Sequence, residues 1–166
     1  SDEGFADHTA RPRFEGWWGN DPDTRFEMGE AFVPVKSADA WQLSNPPVMA
    51  LAPVKVSLDL FSEVGMPALR EKSERLTAYL LDLIDGIGSE HFEVITPRAP
   101  EARGCQLSIL VHDQPRELFK ALQAAGVICD FREPNVIRVA PTPLYNTFHD
   151  CWAFAQVLAE ISNGSH

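Results

Sequence analysis

Arg138 is set in the middle of Val136-Ile137-Arg138-Val139-Ala140, an apolar, largely β-branched run entered through Glu133-Pro134-Asn135 and stopped by Pro141. Those features predict a short, largely buried strand. Arginine is almost never fully buried without a partner, and its planar fork suits a carboxylate or phosphate held at two points. Two partners are open: a carboxylate of the chain itself, such as Glu133, or an anionic ligand. The exit loop Pro141-Thr142-Pro143-Leu144-Tyr145-Asn146 carries two prolines within three residues. They stiffen the strand end, and stiff loops at strand ends are where binding groups collect.

Two other stretches offer contact chemistry. Gly16-Trp17-Trp18-Gly19 holds two bulky aromatics between residues without a Cβ, followed by the turn-forming Asn20-Asp21-Pro22-Asp23. Adjacent tryptophans on a strand point to opposite sides, so either one is offered to a ligand, a partner subunit or a neighbouring domain, or both cover an apolar surface. Asn45 precedes Pro46-Pro47, which open an apolar helical run from Val48 to Phe61. At a helix entrance an amide and free backbone N–H groups can receive an oxyanion, although Ser44 and Asn45 equally suit a plain cap.

Nothing in the chain spells a catalytic residue or a metal site. His8, His91, His112, His149 and His166 stand apart, and neither a glycine-rich phosphate loop nor a nucleophile elbow is present. Cys105, Cys129 and Cys151 are odd in number and widely spaced among apolar neighbours, the pattern of buried thiols in a reducing compartment. A net charge of -10 gives no basic footprint for nucleic acid or an anionic membrane, and the apolar stretch around Val48 to Val56 is too short to span a bilayer. The polar start, without a signal peptide, makes the cytoplasm the expected location.

The elements that must position these groups follow from periodicity. Residues 1–46 form an expected extended arm, with isolated aromatics Phe26, Phe32 and Trp41 and no sustained period; residues 47–166 form a small α+β domain. Pro53 within the first helical run implies a kink or a later start. From Pro67, Leu69, Leu76, Leu80, Leu83 and Ile84 share one helical face closed by Gly86 and Gly88. Phe92–Thr96 and the alternating Cys105, Leu107, Ile109 and Val111 read as strands. A helix capped by Asp113, with Pro115 in its first turn, runs to Gly126. Val127–Phe131 and Val136–Ala140 pair as a hairpin, and Thr147-Phe148-His149-Asp150 has capping-box spacing before a last helix. Helix, strand, strand, helix, strand, strand, helix is a two-layer α+β sandwich with a mainly antiparallel sheet.

Five segments in order, Gly16-Trp17-Trp18-Gly19, Thr24-Arg25-Phe26, Ser44-Asn45-Pro46-Pro47, Arg103-Gly104-Cys105-Gln106-Leu107 and Arg138 through Asp150, resemble the C-terminal part of kynureninase, from about Phe14 to Ile161. The resemblance implies the small C-terminal domain of a fold-type I pyridoxal-5'-phosphate enzyme, a homodimer. Its reaction hydrolyses L-kynurenine or 3-hydroxykynurenine to anthranilate or 3-hydroxyanthranilate and L-alanine, in tryptophan catabolism leading to NAD. By the same resemblance Trp17 and Asn45 approach the cofactor phosphate, Arg138 holds the substrate α-carboxylate, and Asn45 borders the substrate. The covalent cofactor lysine is expected before Ser1, since Lys36, Lys55, Lys72 and Lys120 lie outside the family's lysine motif. The isolated chain is then expected to be inactive, a fragment or one chain of a split enzyme that needs a cofactor domain as partner. The competing expectation is a non-enzymatic amino-acid-binding or assembly module.

Overall fold

The computed structural model describes residues 12–27, 29–88, 90 and 92–164; the first eleven residues of the expected arm, including His8, and also His91 and His166, lie outside the described residues. The chain divides into two compact units, Ser1–Leu60 and Phe61–His166. The division falls inside the first long helix, whereas the expected boundary at 46/47 lies at the entrance of that helix.

In the first unit, short 3-10 turns at Trp17–Gly19, Arg25–Glu27 and Ala38–Trp41 are joined by extended stretches. The tryptophan pair therefore sits on a 3-10 turn, where a strand would have split it between two faces. Backbone bonds hold the turns together: Gly19 N–H donates to the Gln42 carbonyl (2.9 Å), and Val35 N–H donates to the Gly19 carbonyl (3.1 Å). The Asn20 side chain accepts from Val33 N–H at 2.9 Å. The Arg13 guanidinium lies 4.9 Å from the centroids of both Phe32 and Trp41.

Helix α1, Val48–Val64, begins in this unit and runs through Pro53. None of its residues is buried, and Val48, Met49, Leu51, Val54, Val56, Leu58, Leu60 and Val64 are all exposed. No helix among the described residues is long and apolar enough to cross a membrane.

The second unit follows the expected order: α2 (Met66–Ile87), β1 (Phe92–Val94), β2 (Leu107–Val111), α3 (Pro115–Ala124), β3 (Asp130–Arg132), β4 (Val136–Val139) and α4 (Phe148–Asn163). The strands form one antiparallel four-stranded sheet in the order β1-β2-β4-β3. Leu107, Ile109 and Val111 of β2 and Ile137 and Val139 of β4 face a core shared with Leu76, Leu80 and Ile84 of α2, Leu122 of α3 and Phe154 and Leu158 of α4. Strand period 2 then turns Ser108, Leu110, Val136 and Arg138 to the opposite face, which is only half-buried.

Several ends differ from the expected ones: α1 runs to Val64 and not Phe61, α2 passes through Gly86 to Ile87, β1 stops at Val94 and not Thr96, and β4 stops at Val139 and not Ala140. β2 starts at Leu107 because its partner β4 ends at Val139, directly opposite Leu107, and continuing the register would set Cys105 against Pro141, which has no N–H to pair; upstream, Arg103 is buried, with Nε donating to Thr77 Oγ1 (3.1 Å) and Nη1 to the Arg98 carbonyl. The residue capping α3 is Gln114, in the left-handed region at φ 46°, and not Asp113. β3 starts at Asp130 because Val127 closes α3, its N–H donating to the Leu122 carbonyl (3.0 Å) while Gly126, at φ 84°, donates to Gln123 (3.0 Å).

The capping box at α4 is complete: Thr147 Oγ1 accepts from Asp150 N–H (3.2 Å), and the Asp150 carboxylate accepts from Thr147 N–H (2.7 Å). That backbone donor, with the Thr147 and Asn146 side chains, holds the Asp150 carboxyl below its usual range. Thr147→Ala should cost about 1 kcal/mol in urea unfolding. A carboxyl lowered in the folded state contributes stability that is complete above the unfolded pKa and lost as pH falls through the folded one. The stability gap between wild type and Asp150→Asn should thus be flat above about pH 5 and shrink below about pH 4. Titrating the urea midpoint checks both points.

Candidate functional site

Arg138 stands on β4 with Ser108 on one side and Asp130 on the other, all three on the sheet face opposite the core. The Arg138 fork is engaged edge-on by Asp130: Nε donates to Oδ1 (3.0 Å) and Nη2 to Oδ2 (2.7 Å). Arg132, two residues along β3 from Asp130, reaches the same Oδ2 at 3.1 Å. One carboxylate between two guanidinium groups leaves a local surplus of one positive charge in a chain whose net charge is -10. The Arg138 hydrogen bond, and then the two guanidinium charges, hold the Asp130 carboxyl below its usual range; the same bond raises the Arg138 pKa.

Glu133, named as a possible internal partner, pairs instead with Arg116. The signal that identifies Asp130 is the hairpin itself. Asp130 and Arg138 lie equally far from Pro134 at its centre, and residues directly opposite in an antiparallel pair share a face. Of the Arg138 side chain 29% remains exposed, and no described residue bonds its Nη1.

The exit loop is stiffened by more than its prolines. Thr142 N–H donates to Asn146 Oδ1 (2.9 Å), Asn146 N–H donates to the Thr142 carbonyl (2.8 Å), and Lys72 Nζ of α2 donates to the Pro143 carbonyl (2.7 Å). Tyr145 is exposed within this loop.

Trp17 and Asn45 belong to the first unit. Trp17 is 53% exposed, with its ring edge-on to Phe26 at 5.5 Å and its indole N–H donating to the Arg25 carbonyl at 2.9 Å. Trp18 lies under the Arg25 guanidinium at 4.7 Å. The Gly19–Gln42 bond brings this turn alongside the segment leading to Asn45, whose side chain is exposed at the entrance of α1.

Two of the three thiols are held in their protonated form. Burial and the adjacent Asp150 push the Cys151 thiol up to about 11, and burial raises Cys129 as well, so neither is a thiolate at neutral pH. Among the described residues no group of three or more His, Cys, Asp or Glu side chains could hold a metal ion.

The kynureninase C-terminal domain family model matches residues 69–158. Among curated relatives, the kynureninase of Myxococcus xanthus is 52% identical over 147 residues, covering 89% of this chain and 34% of that protein. That of Christiangramia forsetii is 51% identical over 150 residues, covering 89% of this chain and 35% of that protein. The chain thus spans about a third of the length of the curated relatives it matches. Among solved structures, an apo cysteine desulfurase from Thermococcus onnurineus superposes with a TM-score of 0.70, covering 92% of this chain and 39% of that one at 13% identity, a likeness of fold alone. A family model matching most of the helices and all four strands of the second unit, with half-identical relatives across nearly the whole chain, places it plainly: the chain belongs to the kynureninase family, as its C-terminal portion.

Proposed function

We propose that this chain is the substrate-recognising C-terminal portion of a pyridoxal-5'-phosphate-dependent kynureninase, which hydrolyses L-kynurenine or its 3-hydroxy form to the anthranilate product and L-alanine. Arg138 binds the substrate α-carboxylate, Trp17 and Asn45 meet the cofactor phosphate, and Asn45 also borders the substrate. The observation that carries this reading is the Arg138 guanidinium, fixed on the sheet face away from the core with its Nη1 end free of described partners. A two-point hydrogen bond from that end would orient the α-carboxylate and with it the rest of the amino acid.

The donor set of the first unit suits a phosphate. Asn45 offers an exposed amide at the entrance of the 17-residue α1, and Trp17 offers an indole N–H that would exchange the Arg25 carbonyl for a phosphate oxygen. When bound, the cofactor supplies the electron sink for bond cleavage. Its covalent lysine is assigned to another part of the enzyme, on the same polypeptide or on a partner chain, because Lys36, Lys55, Lys72 and Lys120 lie outside the family's lysine motif. That part also covers the apolar residues of α1, Val48, Met49, Leu51 and Val54 among them, which stand exposed beside the solvated Lys55–Asp59 pair. The complete protein works in the cytoplasm as a homodimer.

The test is to incubate the full-length, cofactor-loaded protein with L-kynurenine and to follow anthranilate and alanine together. Failure to release both would refute the reading. For the isolated chain, borohydride reduction with pyridoxal phosphate should leave no lysine stoichiometrically modified by mass spectrometry. Lys72 is already committed to the Pro143 carbonyl and Lys55 to Asp59 at 2.6 Å. Complete labelling of one lysine would contradict the assignment of covalent binding to another part of the protein.

A further inference from the structure

We propose that Asp130 is the positioning residue for Arg138, holding the side edge of the guanidinium so that its end edge stays aimed at the substrate carboxylate. This rests on the carboxylate-binding reading of Arg138 given above. A guanidinium has five N–H donors arranged as two usable forks, one along the Nε/Nη2 edge and one across Nη1 and Nη2. Asp130 occupies the first fork with bonds of 3.0 and 2.7 Å. One Nη1 hydrogen and the second Nη2 hydrogen then remain as a second fork of the same shape, with no described residue bonded to Nη1.

The placement of Asp130 is suited to this task. It stands directly across the hairpin from Arg138, so the backbone register fixes the carboxylate against which the long, flexible arginine is held. A lone carboxylate at that place would cancel the charge that attracts the substrate. Arg132 offsets it, reaching Asp130 Oδ2 at 3.1 Å and keeping the group cationic. Asp130 therefore acts through Arg138 and does not itself touch the substrate.

The alternative role is the opposite one: Asp130 as a stand-in for the substrate carboxylate that must be displaced. The two roles differ in sign. In the full-length protein, Asp130→Ala should raise KM for kynurenine roughly ten-fold while kcat stays within about two-fold, because the carboxylate anchor is loosened and the reacting atoms are not touched. Asp130→Asn keeps the shape and one acceptor, so it should fall between wild type and Asp130→Ala; it also serves as the readout should Asp130→Ala fail to fold. A competitive inhibitor bearing the α-carboxylate should weaken in parallel, and its counterpart lacking that group should bind the variant and the wild type equally. A merely structural Asp130 would weaken both inhibitors.

An unchanged or lowered KM, or equal loss for both inhibitors, overturns the inference. Arg138→Ala, measured alongside, separates the two levels. If it leaves KM unchanged, the carboxylate-clamp reading itself falls. If it raises KM and the Asp130 variants do not, only the positioning role falls.

Discussion

Arg138→Ala in the full-length protein is expected to lower kcat/KM for kynurenine by up to several-thousand-fold, and Arg138→Lys by nearer thirty-fold, order-of-magnitude figures for losing one partner of a desolvated, hydrogen-bonded charge pair. Lysine keeps the positive charge but has no fork, so it can grip either Asp130 or a ligand carboxylate at one point only. The geometry raises a definite rival. Arg138 already has a two-point partner in Asp130, and a cross-strand ion pair of this kind can serve the sheet alone. Were that its whole role, both variants would lower the melting temperature and leave kcat/KM of the folded fraction unchanged. Steady-state kinetics beside thermal melts separate the two. A folded Arg138→Ala protein with unaltered kcat/KM would end the carboxylate-clamp reading.

The parts of this fold that announce themselves in sequence are those decided by local chemistry. The 3.6-residue period of α2 and the Thr147–Asp150 capping box lie within a few residues of the features they specify, and both form as read. The hairpin of β3 and β4 was legible, and with it the equal spacing of Asp130 and Arg138 about Pro134 that makes them partners. The acid nearest in sequence, Glu133, lies off this register. Glu133 sits in the turn, from which its side chain meets Arg116.

What was not legible depends on groups far apart in the chain. The late start of β2 follows from where its partner β4 ends, at Val139 opposite Leu107, 32 residues away. The exposure of every turn of α1 could not be read from its composition, because its many apolar residues call for a covering surface without saying which one. Arg138 could be singled out from its own strand, since a charge within an apolar run needs a partner, whereas the roles proposed for Trp17 and Asn45 rest on the family resemblance.

Gly16→Ala is expected to disrupt the first unit at a cost of about 3 kcal/mol or more, the upper range for overpacking. A Cβ on Gly16 would lie 2.1 Å from Leu43 Cα, 2.5 Å from the Gln42 carbonyl oxygen and 2.7 Å from the Leu43 carbonyl carbon. All three atoms are backbone, so no side chain can swing aside to relieve the contact. The φ of -108° is ordinary for any residue, which makes the requirement for glycine one of space. Segment 42–43 must back away, and doing so stretches the 2.9 Å bond from Gly19 N–H to the Gln42 carbonyl, one of the few ties that fold the tryptophan turn against it. Ala40 is the one buried hydrophobic residue of this unit among those described, so little core is available to absorb the shift. Three of the four tryptophans, Trp17, Trp18 and Trp41, report on it. Their emission should move to the red and become more open to acrylamide in Gly16→Ala, while the circular dichroism of the second unit, whose core the substitution does not touch, keeps its unfolding midpoint. Gly29→Ala is the matched control, because a Cβ there meets nothing within 4 Å and should leave the spectrum as it is. A Gly16→Ala chain indistinguishable from that control would show that the turn is not held this tightly against Leu43, and would remove the packing constraint that keeps Trp17 near the approach to Asn45.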